Sequence, residues 1–232
     1  MNTFNSIVIG FIQGITEFLP ISSSGHMVVL SDVFNLTTPS LSIDLVAHLG
    51  SLFAVLCFFG IKSFKEIQVS GFEYEKFKSI LFRLFIASIP IGFIGYLFKD
   101  SLDTTARTLV IVGSSFIFSG LFLIFSSYIN NIIKDKDKLF GIRKVIFIGL
   151  FQAFAIFPGV SRSGMTISSG MLIGINKKKA VEFSFLLSIP VILGANIFQI
   201  IEIFSSSVKS LDWVNLFLVF LVSLIISLIT IN

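Results

Sequence analysis

A polar stretch at residues 157–166 interrupts an otherwise apolar part of the chain, and it contains Arg162, the only charged residue between Lys144 and Lys177. An arginine at membrane depth is energetically costly and normally marks a functional cavity. Three hydroxyl side chains lie close to it in the sequence, those of Ser161, Ser163 and Thr166. A guanidinium, hydroxyls and backbone N–H groups at a helix start together predict an anion-binding site. The alternative is a structural arginine that stabilises broken helix ends.

A second polar break lies at residues 13–26, with the sequence Gln-Gly-Ile-Thr-Glu-Phe-Leu-Pro-Ile-Ser-Ser-Ser-Gly-His. At an offset of 139 residues, residues 9–25 share seven identities in seventeen ungapped positions with residues 148–164. This similarity predicts one membrane domain, residues 1–232, built from two related halves at about 1–129 and 130–232. Interrupted apolar segments at corresponding positions of two halves indicate a binding site near the bilayer midplane.

Glu17 is the carboxylate of this second break, and it lies between apolar neighbours. A carboxylate in such a place can act as a general base, a general acid or a metal ligand. The alternative is that Glu17 only pairs with Arg162. Gln13 lies one helical turn earlier on the same helix face. Its amide could orient substrate or water, or it could form a hydrogen bond between helices.

Three serines and a histidine complete the break: Ser22, Ser23, Ser24 and His26. One serine could attack phosphorus if a base is adjacent, whereas the alternative is that the serines cap the next helix. His26 could exchange a proton near pH 7 or be structural. Only weak individual signals come from Asp44, His48 and Glu182.

These groups match the needs of phosphoryl transfer, in which spread negative charge is neutralised and a nucleophile is held in line. An arginine, serines, a carboxylate and a helix N-terminus supply those parts. Because the site is expected inside the bilayer, the substrate should be a lipid phosphate or diphosphate.

The composition is that of a polytopic membrane protein, with 54% hydrophobic residues, 13% charged residues and 29 phenylalanines. The net charge of +4 is therefore interpreted as loop orientation and not as nucleic-acid binding. The N-terminus has neither a basic region nor a small-residue cleavage site, so no removable signal peptide is expected.

Apolar runs define the elements that must position the two breaks. The predicted spanning helices cover residues 45–61, 80–98, 108–129, 181–204 and 213–231. Shorter apolar arms at 5–19 and 25–34, and at 145–157 and 164–175, predict two re-entrant helical hairpins. The remaining segments are predicted loops at 32–43, 62–79, 99–103 and 130–144. Pro90 is expected to kink its helix.

The basic loops decide orientation, because lysine and arginine are enriched in cytoplasmic loops. The loops at 62–79 and 130–144 are basic, and the lysines at 177–179 join them on the same side only if residues 145–175 turn back. The first hairpin then enters from outside and the second from inside. The predicted fold is an all-α membrane protein with an inverted-topology repeat whose two polar tips meet near the midplane, with Arg162 within about 10 Å of Glu17.

The two breaks also resemble the two signatures of a known family. The motifs Gln-x-x-x-Glu-Phe-Leu-Pro-x-Ser-Ser-Ser-Gly-His at 13–26 and Pro-Gly-x-Ser-Arg-Ser-Gly-x-Thr at 158–166 resemble those of the undecaprenyl-diphosphate phosphatases of the bacitracin-resistance type. Residues 182–190 are similar to the family as well. The resemblance implies hydrolysis of undecaprenyl diphosphate to the monophosphate, recycling of the carrier lipid for cell-wall synthesis, and bacitracin resistance. It also implies the bacterial inner membrane, with an active site that opens toward the outer face.

The same resemblance implies roles for residues and a divalent cation, Mg or Ca. Catalysis is assigned to Glu17, Ser23, Arg162 and His26, with Glu17 also the candidate metal ligand. Substrate binding is assigned to Gln13, Ser22, Ser24, Ser161, Ser163 and Thr166. Attack by a serine and attack by an activated water both stay open, and so does a homodimer.

Two departures from the family pattern are present. Many members carry glutamate where Gln13 stands, so a metal site with two carboxylates is not expected. The chain ends at Asn232, near where a further spanning helix is expected.

Two rival functions were weighed. A lipid phosphate transporter or flippase would bind the head group through Arg162 without cleaving it, since fold alone does not settle function. Membrane phosphatases with a histidine nucleophile need a histidine late in the chain, and no histidine follows His48.

Overall fold

The computed structural model describes residues 2–33, 41–70, 74–105, 108–133, 141–205 and 212–232. These residues form nine α-helices and one short 3-10 helix, and no β-strand occurs among them. The α-helices are α1 (Thr3–Thr16), α2 (Ser23–Val33), α3 (Leu41–Ser70), α4 (Tyr74–Thr105), α5 (Leu109–Ile132), α6 (Ile142–Gln152), α7 (Arg162–Leu172), α8 (Lys177–Ser205) and α9 (Trp213–Ile231). The all-α prediction is therefore confirmed.

Five helices among the described residues are long and apolar enough to cross a bilayer. The candidate spans are Leu41–Ile61, Phe77–Phe98, Leu109–Ile132, Lys177–Ser205 and Trp213–Ile231. They coincide with the five predicted spanning helices, because in each case the apolar run itself is the helix. The chain is a multi-pass membrane protein.

Two predicted loops were wrong. Helix α3 continues to Ser70 and α4 runs from Tyr74 to Thr105, so most of 62–79 and all of 99–103 are helical. Charged residues there end the apolar run but not the helix, because lysine, glutamate and glutamine are good helix formers and neither segment contains proline within the helix. Of the other two predicted loops, 34–40 and 134–140 lie outside the described residues.

The apolar arms around the breaks are short helices. Helix α1 has 14 residues, and α2, α6 and α7 have 11 each, fewer than the roughly 20 needed to cross a bilayer. The short 3-10 helix Ala153–Ile156 follows α6. Burial differs between the two breaks: nine residues of α7 are buried, whereas Gly25 is the buried residue of α2.

Helix α9 packs closely against α1 and α3. A Cβ added at Gly10 of α1 would lie 2.8 Å from the carbonyl oxygen of Val219, and one added at Gly50 of α3 would lie 2.6 Å from that of Phe220. Ser51 Oγ lies 3.1 Å from Ser223 Oγ across the same interface. Small residues let these backbones approach and let hydroxyls bond between helices, as is usual in membranes.

The start of α9 is capped and tied to α1. Asp212 Oδ1 accepts a hydrogen bond from the backbone N–H of Asn215 at 3.3 Å, and Oδ2 accepts one from its side-chain amide at 2.6 Å. These hydrogen bonds lower the pKa of the Asp212 carboxyl. Ser6 Oγ of α1 donates to Asn215 Oδ1 at 2.8 Å. The same asparagine therefore closes the cap and holds the N-terminal ends of two helices together.

Two hydrophobic clusters flank the breaks. One cluster joins α4, α6, α7 and α8 through Ala87, Ile148, Met171 and Leu187. The other joins α3, α8 and α9 to Phe18, which is 1% exposed and packs edge-on against Phe185. Because Phe18 follows Glu17 directly, this packing fixes the backbone that carries the carboxylate.

The close approach of α3 and α9 gives a stability prediction. Gly50→Ala should lower the thermal unfolding midpoint in detergent, because the added methyl group overlaps the α9 backbone and overpacking costs about 1–3 kcal/mol. Gly60→Ala on the same helix is the matched control, since nothing lies within 4 Å of a Cβ added there. Equal midpoints for the two variants would contradict the packing described.

Candidate active site

The two polar breaks lie in contact. A Cβ added at Gly25 would lie 2.7 Å from the Cα of Gly159, so the two chain segments touch backbone to backbone. Ser163 Oγ of the second break donates a hydrogen bond to the Leu19 carbonyl of the first at 2.8 Å. Residues 144 positions apart in sequence are thereby brought to one place.

The helices that start at the two breaks have the same cap. Ser22 Oγ accepts a hydrogen bond from the Gly25 N–H at 3.3 Å, and Ser161 Oγ accepts one from the Gly164 N–H at 3.0 Å. Each capping hydroxyl also lies near the second serine after it, at 3.3 Å for Ser24 and 3.1 Å for Ser163. All these pairs obey the offset of 139 residues. The capping alternative therefore describes Ser22 and Ser161.

The backbone of the first break includes Ser22 at a φ of +66°, a left-handed conformation that side chains rarely adopt. Such strain costs about 1–3 kcal/mol and is common at functional sites. The Ser22 carbonyl accepts from the backbone N–H of His26 at 3.3 Å and lies 2.8 Å from His26 Nδ1. The unusual turn thus sets both the start of α2 and the orientation of His26.

Glu17 is the centre of the site. Its Oε1 accepts a hydrogen bond from Arg162 Nη2 at 2.6 Å. Its Oε2 accepts one from Ser23 Oγ at 2.8 Å and one from Gln13 Nε2 at 3.0 Å. The side chain is 8% exposed, so a buried carboxylate receives three donors from both breaks. The expected proximity of Arg162 and Glu17 is present.

Arg162 is held by α8 as well as by Glu17. Its Nη1 donates to the Ser184 carbonyl at 3.3 Å, and its side chain is 12% exposed. Thr166 Oγ1 lies 2.7 Å from Ser184 Oγ and donates to the Arg162 carbonyl at 3.0 Å. A guanidinium has five N–H donors, and these two contacts occupy two of them. Three donors stay available to an anion.

His48 also faces the carboxylate, from helix α3. Its Nε2 lies 3.9 Å from Glu17 Oε2, and its Nδ1 lies 2.8 Å from the Asp44 carbonyl oxygen. Sequence reasoning gave His48 little weight, and it missed Ser184 altogether. The available signal was an ionisable residue inside a spanning segment, which by default suggests function.

The predicted site residues divide into three groups. Direct contact with Glu17 is made by Gln13, Ser23 and Arg162. Support of the break backbones or of Arg162 is given by Ser22, Ser24, Ser161, Ser163 and Thr166. The described contacts of His26 are with the Ser22 carbonyl and the ring of Phe116, 5.1 Å away, and none of them reaches Glu17.

The donor set does not fit a preassembled site for a divalent cation. Within the described ranges, no group of three or more His, Cys, Asp or Glu side chains could hold a metal ion. Both oxygens of Glu17 already accept hydrogen bonds, and the Arg162 guanidinium lies 2.6 Å from one of them. A cation placed there would face that positive charge.

Fold and site together define a helical multi-pass membrane protein with a buried, arginine-containing anion site between two broken segments. The family model described as bacitracin resistance protein BacA matches residues 6–232. The chain belongs to this family, as its two motifs predicted.

Curated relatives cover most of the chain. A Thermosipho africanus protein named undecaprenyl-diphosphatase is 39% identical over 225 residues, which cover 96% of this chain and 88% of that protein. A Methanobrevibacter smithii protein of the same name is 38% identical over 218 residues, covering 88% of this chain and 78% of that protein. The Bacillus cereus protein undecaprenyl-diphosphatase 3 is 36% identical over 216 residues, covering 93% and 81%.

The buried ion pair predicts non-additive effects on stability. Glu17→Gln and Arg162→Met should each lower the thermal unfolding midpoint, because removing one partner leaves a buried charge uncompensated at a cost of about 3–5 kcal/mol. The double variant should be more stable than the sum of the two losses implies. Arg143→Met, at an exposed position of α6, controls for loss of an arginine. Strictly additive losses would refute the pairing.

Proposed function

We propose that this protein hydrolyses undecaprenyl diphosphate to undecaprenyl phosphate and phosphate. The observation that carries the proposal is that one carboxylate, Glu17, contacts both a hydroxyl nucleophile, Ser23, and a cation, Arg162, inside the protein. The names of the relatives supply the substrate. Hydrolysis of this lipid returns the carrier for cell-wall synthesis and gives resistance to bacitracin.

Substrate binding is assigned to Arg162 and to the starts of α2 and α7. The three N–H donors of Arg162 that are not bound to Glu17 or Ser184 suit the oxygens of a diphosphate. Ser23 and Arg162 are the first residues of their helices, so two helix N-termini point positive dipole ends at the same region. Their first N–H groups have no acceptor within the helix. Together these donors offset the charge of Glu17 and favour an anion.

The chemical step follows from the hydrogen bond between Ser23 and Glu17. Ser23 Oγ attacks the terminal phosphorus, and Glu17 Oε2 takes the hydroxyl proton that it already accepts at 2.8 Å. The bond from that phosphorus to the bridging oxygen breaks, and undecaprenyl phosphate leaves. Arg162 stabilises the charge on the transferring group. Gln13 holds Oε2 in place from the other side.

Transport without hydrolysis is the alternative that the reaction must be tested against. A flippase needs a head-group site such as Arg162, but it has no use for a serine hydroxyl directed at a buried carboxylate. The same holds for direct attack by water, which uses Glu17 as base but not Ser23.

We infer that the fold is an inverted-topology repeat with two re-entrant hairpins whose tips meet near the bilayer midplane. Three observations support this inference: the matching caps at Ser22 and Ser161, the contact of the two breaks, and the short lengths of α1, α2, α6 and α7. The equivalent glycines agree as well, because Gly10 approaches the backbone of α9 and Gly149 approaches that of α4. The division into halves at 1–129 and 130–232 follows from the same offset.

The proposed location is the bacterial inner membrane, with the active site opening toward the outer face. The support is the loop charge, which puts the basic segments at 62–79 and 130–144 on the cytoplasmic side. A homodimer and the absence of nucleic-acid binding stay predictions.

A divalent cation, Mg or Ca, is proposed to arrive on the diphosphate itself. Magnesium is commonly held by one or two carboxylates together with substrate phosphates. Glu17 is the one carboxylate of the described site that could contribute to such binding, and no step of the reaction above depends on it.

Replacing Arg162 tests the function. Arg162→Lys should reduce phosphate release from undecaprenyl diphosphate in detergent by about 10²-fold or more, because an ammonium group cannot keep the planar fork that binds Glu17, Ser184 and substrate at once. Arg143→Lys at an exposed position should retain full activity. A well-folded wild-type protein that releases no phosphate yet moves the lipid across vesicles would support the transport alternative.

Replacing Ser23 separates the two nucleophiles. Ser23→Ala should lower kcat on the order of 10⁴-fold if the serine attacks, as for other enzymes that lose their nucleophile. Ser114→Ala, at an exposed position of α5, is the control. Near-normal turnover of Ser23→Ala would assign the attack to water.

A further inference from the structure

His48 is a polar group of the site that the reaction above leaves unused. It lies on α3, the helix that packs against α8 and α9, and its side chain is 30% exposed. Glu17 and Arg162 are only 8% and 12% exposed. His48 is therefore the member of this group with the best access to water.

The hydrogen bonding of His48 fixes its tautomer. Its Nδ1 lies 2.8 Å from the backbone carbonyl oxygen of Asp44, and a carbonyl oxygen can only accept a hydrogen bond. Nδ1 must therefore carry the hydrogen. In the neutral ring, Nε2 then has a free lone pair, and this atom is the one that faces Glu17 Oε2.

The distance between these two acceptors suits a water molecule. Nε2 and Oε2 are 3.9 Å apart, which is too long for a direct hydrogen bond. A water about 2.8 Å from each atom can donate one hydrogen to Nε2 and the other to Oε2. Its lone pairs then face away from both acceptors.

The proposed reaction needs a second base. After attack by Ser23, Glu17 holds the serine proton, and the phosphate is attached to Ser23 Oγ. Cleavage of this phosphoserine requires Glu17 to return the proton to Oγ as it leaves. Glu17 acts as an acid in that step, so it cannot also deprotonate the attacking water.

We propose that His48 Nε2 holds and deprotonates the water that cleaves phosphorylated Ser23. The water oxygen forms a bond to phosphorus, and its proton moves to Nε2. The bond between phosphorus and Ser23 Oγ breaks, and Oγ takes the proton from Glu17. Free serine, inorganic phosphate, a carboxylate and an imidazolium result, and the imidazolium then loses its proton to solvent through the exposed edge of His48. This inference rests on the proposed function and on serine attack.

The test uses the full-length protein in detergent and undecaprenyl diphosphate labelled at the terminal phosphorus. His48→Phe keeps a ring but removes the acceptor, and His48→Gln keeps an acceptor oxygen but no base. Cys57→Ala, at an exposed position of the same helix, is the matched control. Rapid quenching then measures undecaprenyl phosphate, free phosphate and label bound to the protein.

His48→Phe should lower steady-state phosphate release by about 10²-fold, the usual range for loss of a general base. The first turnover should still release undecaprenyl phosphate, so label should accumulate on Ser23 toward one per chain. His48→Gln should show the same accumulation with a smaller loss, and it carries the test if His48→Phe does not fold. A merely structural role would slow the first turnover and leave no accumulated label.

The contrary results are equally specific. Wild-type turnover in both folded variants, or slow turnover without bound label, overturns the role of His48. Failure of the proposed function has a different signature, because wild-type protein and the Cys57→Ala control would then release no phosphate either.

Discussion

The buried ion pair between Arg162 and Glu17 is the constraint on which the rest of the structure depends. It joins the two breaks at a distance of 2.6 Å, in surroundings where neither charge is well solvated. A buried charge is tolerated only with a partner and further hydrogen bonds. Ser184, Ser23 and Gln13 supply those bonds, so the short helices must stop where they do for the pair to form.

The two related breaks contribute different chemistry from equivalent positions. Ser23 and Arg162 occupy the same place, one residue after a capping serine and 139 residues apart. Glu17 corresponds to Ile156 in the second half. The shared backbone geometry therefore aims two helix starts at one region, and substitutions at the aligned positions make one half carry the hydroxyl and carboxylate and the other the cation.

Much of this arrangement could be predicted from the sequence. Long apolar runs define the spanning helices, and Arg162 between uncharged segments marks the site, because both effects follow from the membrane as solvent. The charged ends of α3 and α4 could not be predicted in this way, since lysine and glutamate end an apolar run without ending a helix. The roles of Ser22, Ser161 and His48 also needed coordinates. Serines suit both caps and catalysis, and His48 is far from Glu17 along the chain.

The unequal burial of α7 and α2 has a consequence for how a lipid head group reaches the arginine. Arg162 begins a helix that is enclosed by its neighbours, whereas Ser23 begins one with little of its surface covered. An approaching diphosphate must therefore pass the α2 side before it meets the guanidinium. Selectivity for the polyprenyl tail is consequently decided along α2, ahead of and separately from the bond-breaking step.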